Sequence, residues 1–221
     1  MKCVHCLNTS KKETRDHVFP KSWYTKNTPA NVQRWTVPSC ADCNEKFGKL
    51  EQELFIRLAC CVNPQKTETD GIIEKLDKAF TKRPHYLKKI ISELKPYNSS
   101  IKTFPGLGPH KDYSIESQRY INISPELINS VLGKIFRGIE YKMNNKYIEN
   151  PLKLRIYHVH NEPKEITDIF SMGAKIEYLG PGFKIEMVKP NNTELPIIYK
   201  STIWGTIVSY ASIDNKNNHG N

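Results

Sequence analysis

Four cysteines near the N-terminus are the residues best placed to hold an ion. Cys3/Cys6 and Cys40/Cys43 form two Cys-x-x-Cys pairs with 33 residues between them. Each pair closes a tight knuckle that presents two thiolates to one ion, and two knuckles complete the tetrahedral sulfur shell that zinc favours. With four sulfurs bound, such a zinc has no open position for water, so it is structural and any catalysis lies elsewhere. No βαβ pattern surrounds the pairs, which argues against a redox dithiol. His5, inside the first knuckle, offers an alternative ligand, but the all-cysteine set fits the spacing better. Cys60 and Cys61 are adjacent late in a helical stretch, point in different directions, and read as core filler.

Between and just beyond the knuckles lie Arg15-Asp16-His17-Val18-Phe19-Pro20-Lys21-Ser22, then Asn31-Val32-Gln33, then Cys43-Asn44-Glu45-Lys46-Phe47. On these residues the chain resembles the HNH, or ββα-metal, endonuclease family over residues 1 to about 55. Asp16-His17 followed by Val-Phe-Pro matches the family's first element, Asn31 its central asparagine, and Asn44 its last position, where asparagine stands in place of histidine. The resemblance implies an endonuclease that hydrolyses nucleic-acid phosphodiesters, DNA before RNA, in a treble-clef-like module. Cleavage needs an activated water and stabilisation of charge on the phosphoryl oxygens. By the resemblance, Asp16 and Asn44 offer oxygen ligands to one Mg²⁺ or Mn²⁺, a hard cation that keeps open sites for phosphate and water. His17, on the other side of the strand from Asp16, is then the general base, because an imidazole with an ordinary pKa near 6.5 is mostly neutral at cellular pH. Asn31 is expected to bond backbone across the loop and hold His17 in orientation. Lys21, Arg34, Lys46 and Lys49 are candidate phosphate contacts.

The elements that must position these groups are legible in outline. Arg34–Val37 reads as a short strand, and Ser39 with Asp42 as a capping-box-like start for a helix near Cys40. Phe47, Leu50, Leu54, Leu58 and Cys61 make one apolar stripe on that helix, which is expected to run to about Val62 and to carry Asn44 in its first turns. Helices are expected over 71–80 and 84–94, a long Ser/Gly/Pro-rich loop over 97–112, a strand over 119–123, and a helix opened by Ser124-Pro125 with the stripe Leu127, Val131, Ile135, Ile139. Strands follow over 154–160, 174–178, 183–188 and 197–210. The fold class is therefore α+β: a zinc-stapled module (1–62) with no core of its own, a helical connection and loop (63–112), and an α+β part (113–212) in which an antiparallel sheet packs on a helix. Residues 213–221 form a polar tail expected to be disordered.

Lys plus Arg is 33 and Asp plus Glu 23, a net charge of +10 that attracts polyanions, nucleic acid foremost. No apolar run approaches the ~20 residues of a membrane span, and the opening Met-Lys-Cys-Val-His-Cys has no signal-peptide h-region, so a cytoplasmic address is expected. A zinc deaminase is excluded because no His-x-Glu precedes Pro38-Ser39-Cys40. The competing reading is a non-catalytic zinc module that binds nucleic acid or a protein; it gives no reason for Asp16, His17 and Asn44 to coincide. His158 and His160 share a strand face but have no carboxylate partner, and Tyr157, Tyr178, Tyr199, Trp204 and Tyr210 read as core. The C-terminal part is expected to recognise substrate, a protein partner or a signal, or to form a homodimer; the sequence does not rank these.

Overall fold

The computed structural model describes residues 1–9, 12–96, 119–149, 153–158, 162–192 and 194–213. The loop expected over 97–112, His160 and the tail from 214 lie outside these residues, as do the side chains of Tyr157 and His158.

Strand β1 (Glu13–His17) pairs antiparallel with β2 (Thr36–Cys40), placing Asp16 opposite Val37 and His17 opposite Thr36. Helix α1 (Ala41–Ala59) follows β2 directly. The strand therefore begins two residues later than expected from Arg34, and the helix ends short of Val62. Its cap is not Ser39 but Cys40, whose Sγ accepts the Cys43 N–H at 3.5 Å. A sulfur at this position satisfies a free helix N–H and still faces the other knuckle. Leu54 and Leu58 are buried, whereas Cys60 and Cys61 lie past the helix end and are exposed, so they are not core filler.

Helices α2 (Ile72–Lys82) and α3 (Pro84–Glu93) meet at Arg83-Pro84, where the proline forces the break. The two-residue strands β3 (Lys95–Pro96) and β4 (Arg119–Tyr120) pair antiparallel. Ser124 caps α4 (Pro125–Asn144) through a 3.1 Å bond from the Leu127 N–H, and the stripe Leu127, Val131, Ile135, Ile139 is buried.

Strands β5 (Lys153–His158), β6 (Lys175–Tyr178), β7 (Phe183–Val188), β8 (Ile197–Ile203) and β9 (Ile207–Ile213) form one antiparallel sheet in the order β5-β9-β8-β7-β6. The run 197–210 is thus two strands, turned by Trp204 (φ 53°) and Gly205 (φ 60°). A single glycine inside a β-branched stretch hides that hairpin in the sequence. Helix α5 (Lys164–Ser171) occupies a stretch for which no element was expected. Along β8 the pleat buries Ile197, Tyr199 and Ile203 toward α4, and the Tyr199 hydroxyl donates to Glu140 of that helix. On the opposite face Phe170 of α5 packs with Val208 and Tyr210. Tyr178 is 67% exposed on the edge strand β6, against the expectation of core.

The N-terminal segment shares its core with the sheet. Phe19 stacks on Phe183 at 4.3 Å between centroids, Tyr24 meets the same ring edge-on at 4.9 Å, and Trp23 lies 5.5 Å from Trp204. Its apolar side chains thus belong to the single large cluster that also contains α1, α4 and β7–β9. Among the described residues no helix is long and apolar enough to cross a membrane.

Candidate active site

The β1–β2 pairing brings the two knuckles together, and Val4 N–H donates to the Pro38 carbonyl at 3.0 Å to fasten the first one alongside β2. The sulfurs of Cys3, Cys6, Cys40 and Cys43 all lie within 4.8 Å of one another, and those of Cys6 and Cys40 are 3.8 Å apart. Zinc–sulfur bonds of about 2.3 Å in a tetrahedron put sulfurs about 3.8 Å apart, so the four can hold a metal ion such as zinc. Backbone N–H groups of His5 and Cys43 point at Cys3 and Cys40 Sγ at 3.4 and 3.5 Å. Burial raises the Cys3 thiol, but the surrounding N–H donors outweigh it and bring the group down to about 7.

His5 is not part of this shell. Its Nε2 lies 2.9 Å from Asp16 Oδ2, with the ring edge-on to Phe47. Burial alone would raise the Asp16 carboxyl, yet the His5 bond and the Lys134 ammonium reverse this and hold it below the usual carboxylate range. An ionised Asp16 can only accept, so His5 carries its proton on Nε2. The other oxygen, Oδ1, sits 3.2 Å from Lys134 Nζ, and the same ammonium lies 2.7 Å from Glu51 Oε1. Lys134 comes from the middle of α4, is fully buried, and also donates to the carbonyls of His17 and Val18.

Asp16 is 5% exposed with both oxygens engaged, so the expected pairing of Asp16 and Asn44 around Mg²⁺ or Mn²⁺ does not fit this arrangement. Asn44 donates Nδ2–H to Thr14 Oγ1 at 3.2 Å, on β1 two residues before Asp16. The Lys134 ammonium already lies 3.2 Å from Asp16 Oδ1, and a divalent ion brought to the same carboxylate would meet its repulsion. The buried lysine has no route to water by which to relieve it.

His17 is half-buried at the end of β1, facing away from Asp16. Burial depresses its pKa below 6.5 and the cations Lys134, Lys21 and Arg34 push it the same way, against the pull of Asp16. The imidazole is therefore neutral near pH 7. Its Nδ1 is buried with no hydrogen-bond partner among the described residues. The expected orienting role of Asn31 is not seen: Asn31 is exposed in a turn, and the loop closes instead through Val18 N–H to the Trp35 carbonyl at 2.9 Å.

The expected basic contacts divide. Lys21 and Arg34 line a cleft of about 780 Å³ with Lys75 and Glu51, and Arg34 stacks over Tyr24 at 5.0 Å. Lys46 faces a separate cavity with Arg57 and Glu93, while Lys49 is paired with Glu45 at 2.7 Å. His5, Glu51, Lys75 and Lys134 are site residues that sequence reasoning missed. Glu51 and Lys75 carry no local signature, and Lys134 lies 117 residues from the His17 carbonyl it holds. Comparison with protein-family models, curated proteins and solved structures returned no match.

Proposed function

We propose that the chain is an HNH-type nuclease in which the ββα unit formed by β1, β2 and α1 hydrolyses nucleic-acid phosphodiesters, with His17 as general base. The observation that carries this reading is a neutral imidazole at the end of β1 that feels the charges of Lys21 and Arg34, two cations that line a cleft together with Lys75. Phosphate oxygens are drawn to those cations. A ring nitrogen of His17 takes a proton as water oxygen bonds to phosphorus, the phosphorus–oxygen bond to one sugar breaks, and the leaving oxygen is protonated from solvent. The cations offset charge building on the phosphoryl oxygens. One such site cuts one strand per engagement, so a double-strand break calls for two protomers or two visits. DNA is the first substrate to test, in keeping with the resemblance and the net charge of +10.

The test is gel analysis of end-labelled duplex DNA and single-stranded RNA incubated with zinc-loaded protein. Discrete cleavage products with wild type and none with folded His17→Ala support the reading. A folded, zinc-loaded wild type that binds but never cuts either substrate turns it to a non-catalytic zinc module.

A further inference from the structure

We propose that Lys134 is a built-in cation: its ammonium, fixed between Asp16 and Glu51 and against the His17 carbonyl, fills the position that a divalent ion would need on Asp16. The coordination is that of a cation site. Two carboxylates, Asp16 at 3.2 Å and Glu51 at 2.7 Å, and two backbone carbonyls, Val18 at 3.3 Å and His17, surround one nitrogen. An ammonium brings three donors to these four oxygens. Hard divalent cations select the same donor types. The difference is permanence. A metal ion exchanges with solvent, whereas this charge is tethered to α4 and fully buried.

Two consequences follow. The carbonyl of His17 is held by Lys134, so the tip of β1 that presents the imidazole is locked by a group from a distant helix. Charge on the substrate phosphate is then met by Lys21, Arg34 and Lys75 rather than by an ion on Asp16. Lys134 itself touches no solvent and is a positioning residue.

Manganese titration of the zinc-loaded full chain, followed by the electron paramagnetic resonance of free Mn²⁺, tests this without any substrate. Wild type is expected to bind no Mn²⁺ at this position. Lys134→Met, which empties the cage, is expected to gain one Mn²⁺ site, and Asp16→Asn in that background to lose it. Wild-type binding abolished by Asp16→Asn or by Glu51→Gln overturns the proposal. Binding that survives both substitutions puts the ion elsewhere and leaves the ammonium as assigned. If Lys134→Met does not fold, the wild-type titration decides alone.

A second readout rests on the nuclease reading. Cleavage in EDTA, at a concentration that leaves bound zinc unchanged, is expected to stay within about twofold of that in Mg²⁺, and a loss beyond about tenfold contradicts the proposal. Should the protein cut nothing under any condition, the nuclease reading fails while the manganese titration still decides the role of Lys134.

Discussion

Trp204 donates its indole N–H to the backbone carbonyl of Trp23 at 2.9 Å, joining residues 181 positions apart. The bond seals the aromatic contact of Phe19, Trp23 and Tyr24 with Phe183 and Trp204, and it makes the sheet part of the module's own core. Residues 1–62 on their own are therefore expected to bind zinc without cooperative unfolding. In the full chain Trp204→Ala is expected to cost about 3–5 kcal/mol, and Trp204→Phe, which keeps a ring but loses the bond, distinctly less. Guanidinium denaturation of the three proteins checks this, and a cooperatively folding 1–62 fragment contradicts it.

Gly138 of α4 faces Val18, the residue after His17. A Cβ at Gly138 would stand 2.9 Å from Val18 Cγ2 and 3.1 Å from Cγ1. Alanine is the better helix former, yet Gly138→Ala is expected to destabilise by about 1–3 kcal/mol because α4 must be pushed off the β1 tip. Val18→Ala should relieve much of that clash, giving a favourable coupling in a double-mutant cycle. Additive losses would mean that the close approach carries no strain.

The zinc staple should govern the knuckles. About one zinc per chain is expected by elemental analysis, and Cys43→Ser should remove it and lower the melting temperature sharply, since binding supplies on the order of 10 kcal/mol toward folding in small zinc modules. A Cys43→Ser protein with unchanged melting would contradict a stapling role.

Arg57 on α1 reaches Glu93 on α3 at 2.5 Å and the Asn122 carbonyl at 2.6 Å. The Arg57 bond holds the Glu93 carboxyl below its ordinary value of 4.5. A depressed folded-state pKa contributes stability above the unfolded pKa and loses it as pH falls through the folded one. Glu93→Gln is thus expected to destabilise at pH 7, with the gap to wild type narrowing as pH falls below the ordinary 4.5 and through the lowered folded-state value. Urea denaturation across pH measures the gap, and one that persists into acid contradicts the assignment.

The four-cysteine cluster, the helix opened by Ser124-Pro125 and the stripe along α4 were legible because they rest on local spacing and capping chemistry. The hairpin at Trp204-Gly205 was not, since one glycine in a β-branched run reads as continued strand. The cage around Asp16 was invisible for a different reason. His5, Glu51 and Lys134 come from a knuckle, α1 and α4, and only tertiary packing brings them to one carboxylate. Sequence reading left Asp16 free for a metal because its partners had no shared pattern. Asn31 failed as an orienting group on the same ground: family order gave it a role that the loop geometry assigns to backbone pairing at Val18 and Trp35.

The most direct test of the central claim is plasmid cleavage by zinc-loaded wild type and His17→Ala, with and without added imidazole. The expected result is a loss of about 10²–10⁴-fold in His17→Ala at unchanged zinc content and melting temperature, with partial recovery when free imidazole replaces the missing base. A folded His17→Ala protein that cuts at the wild-type rate would contradict it.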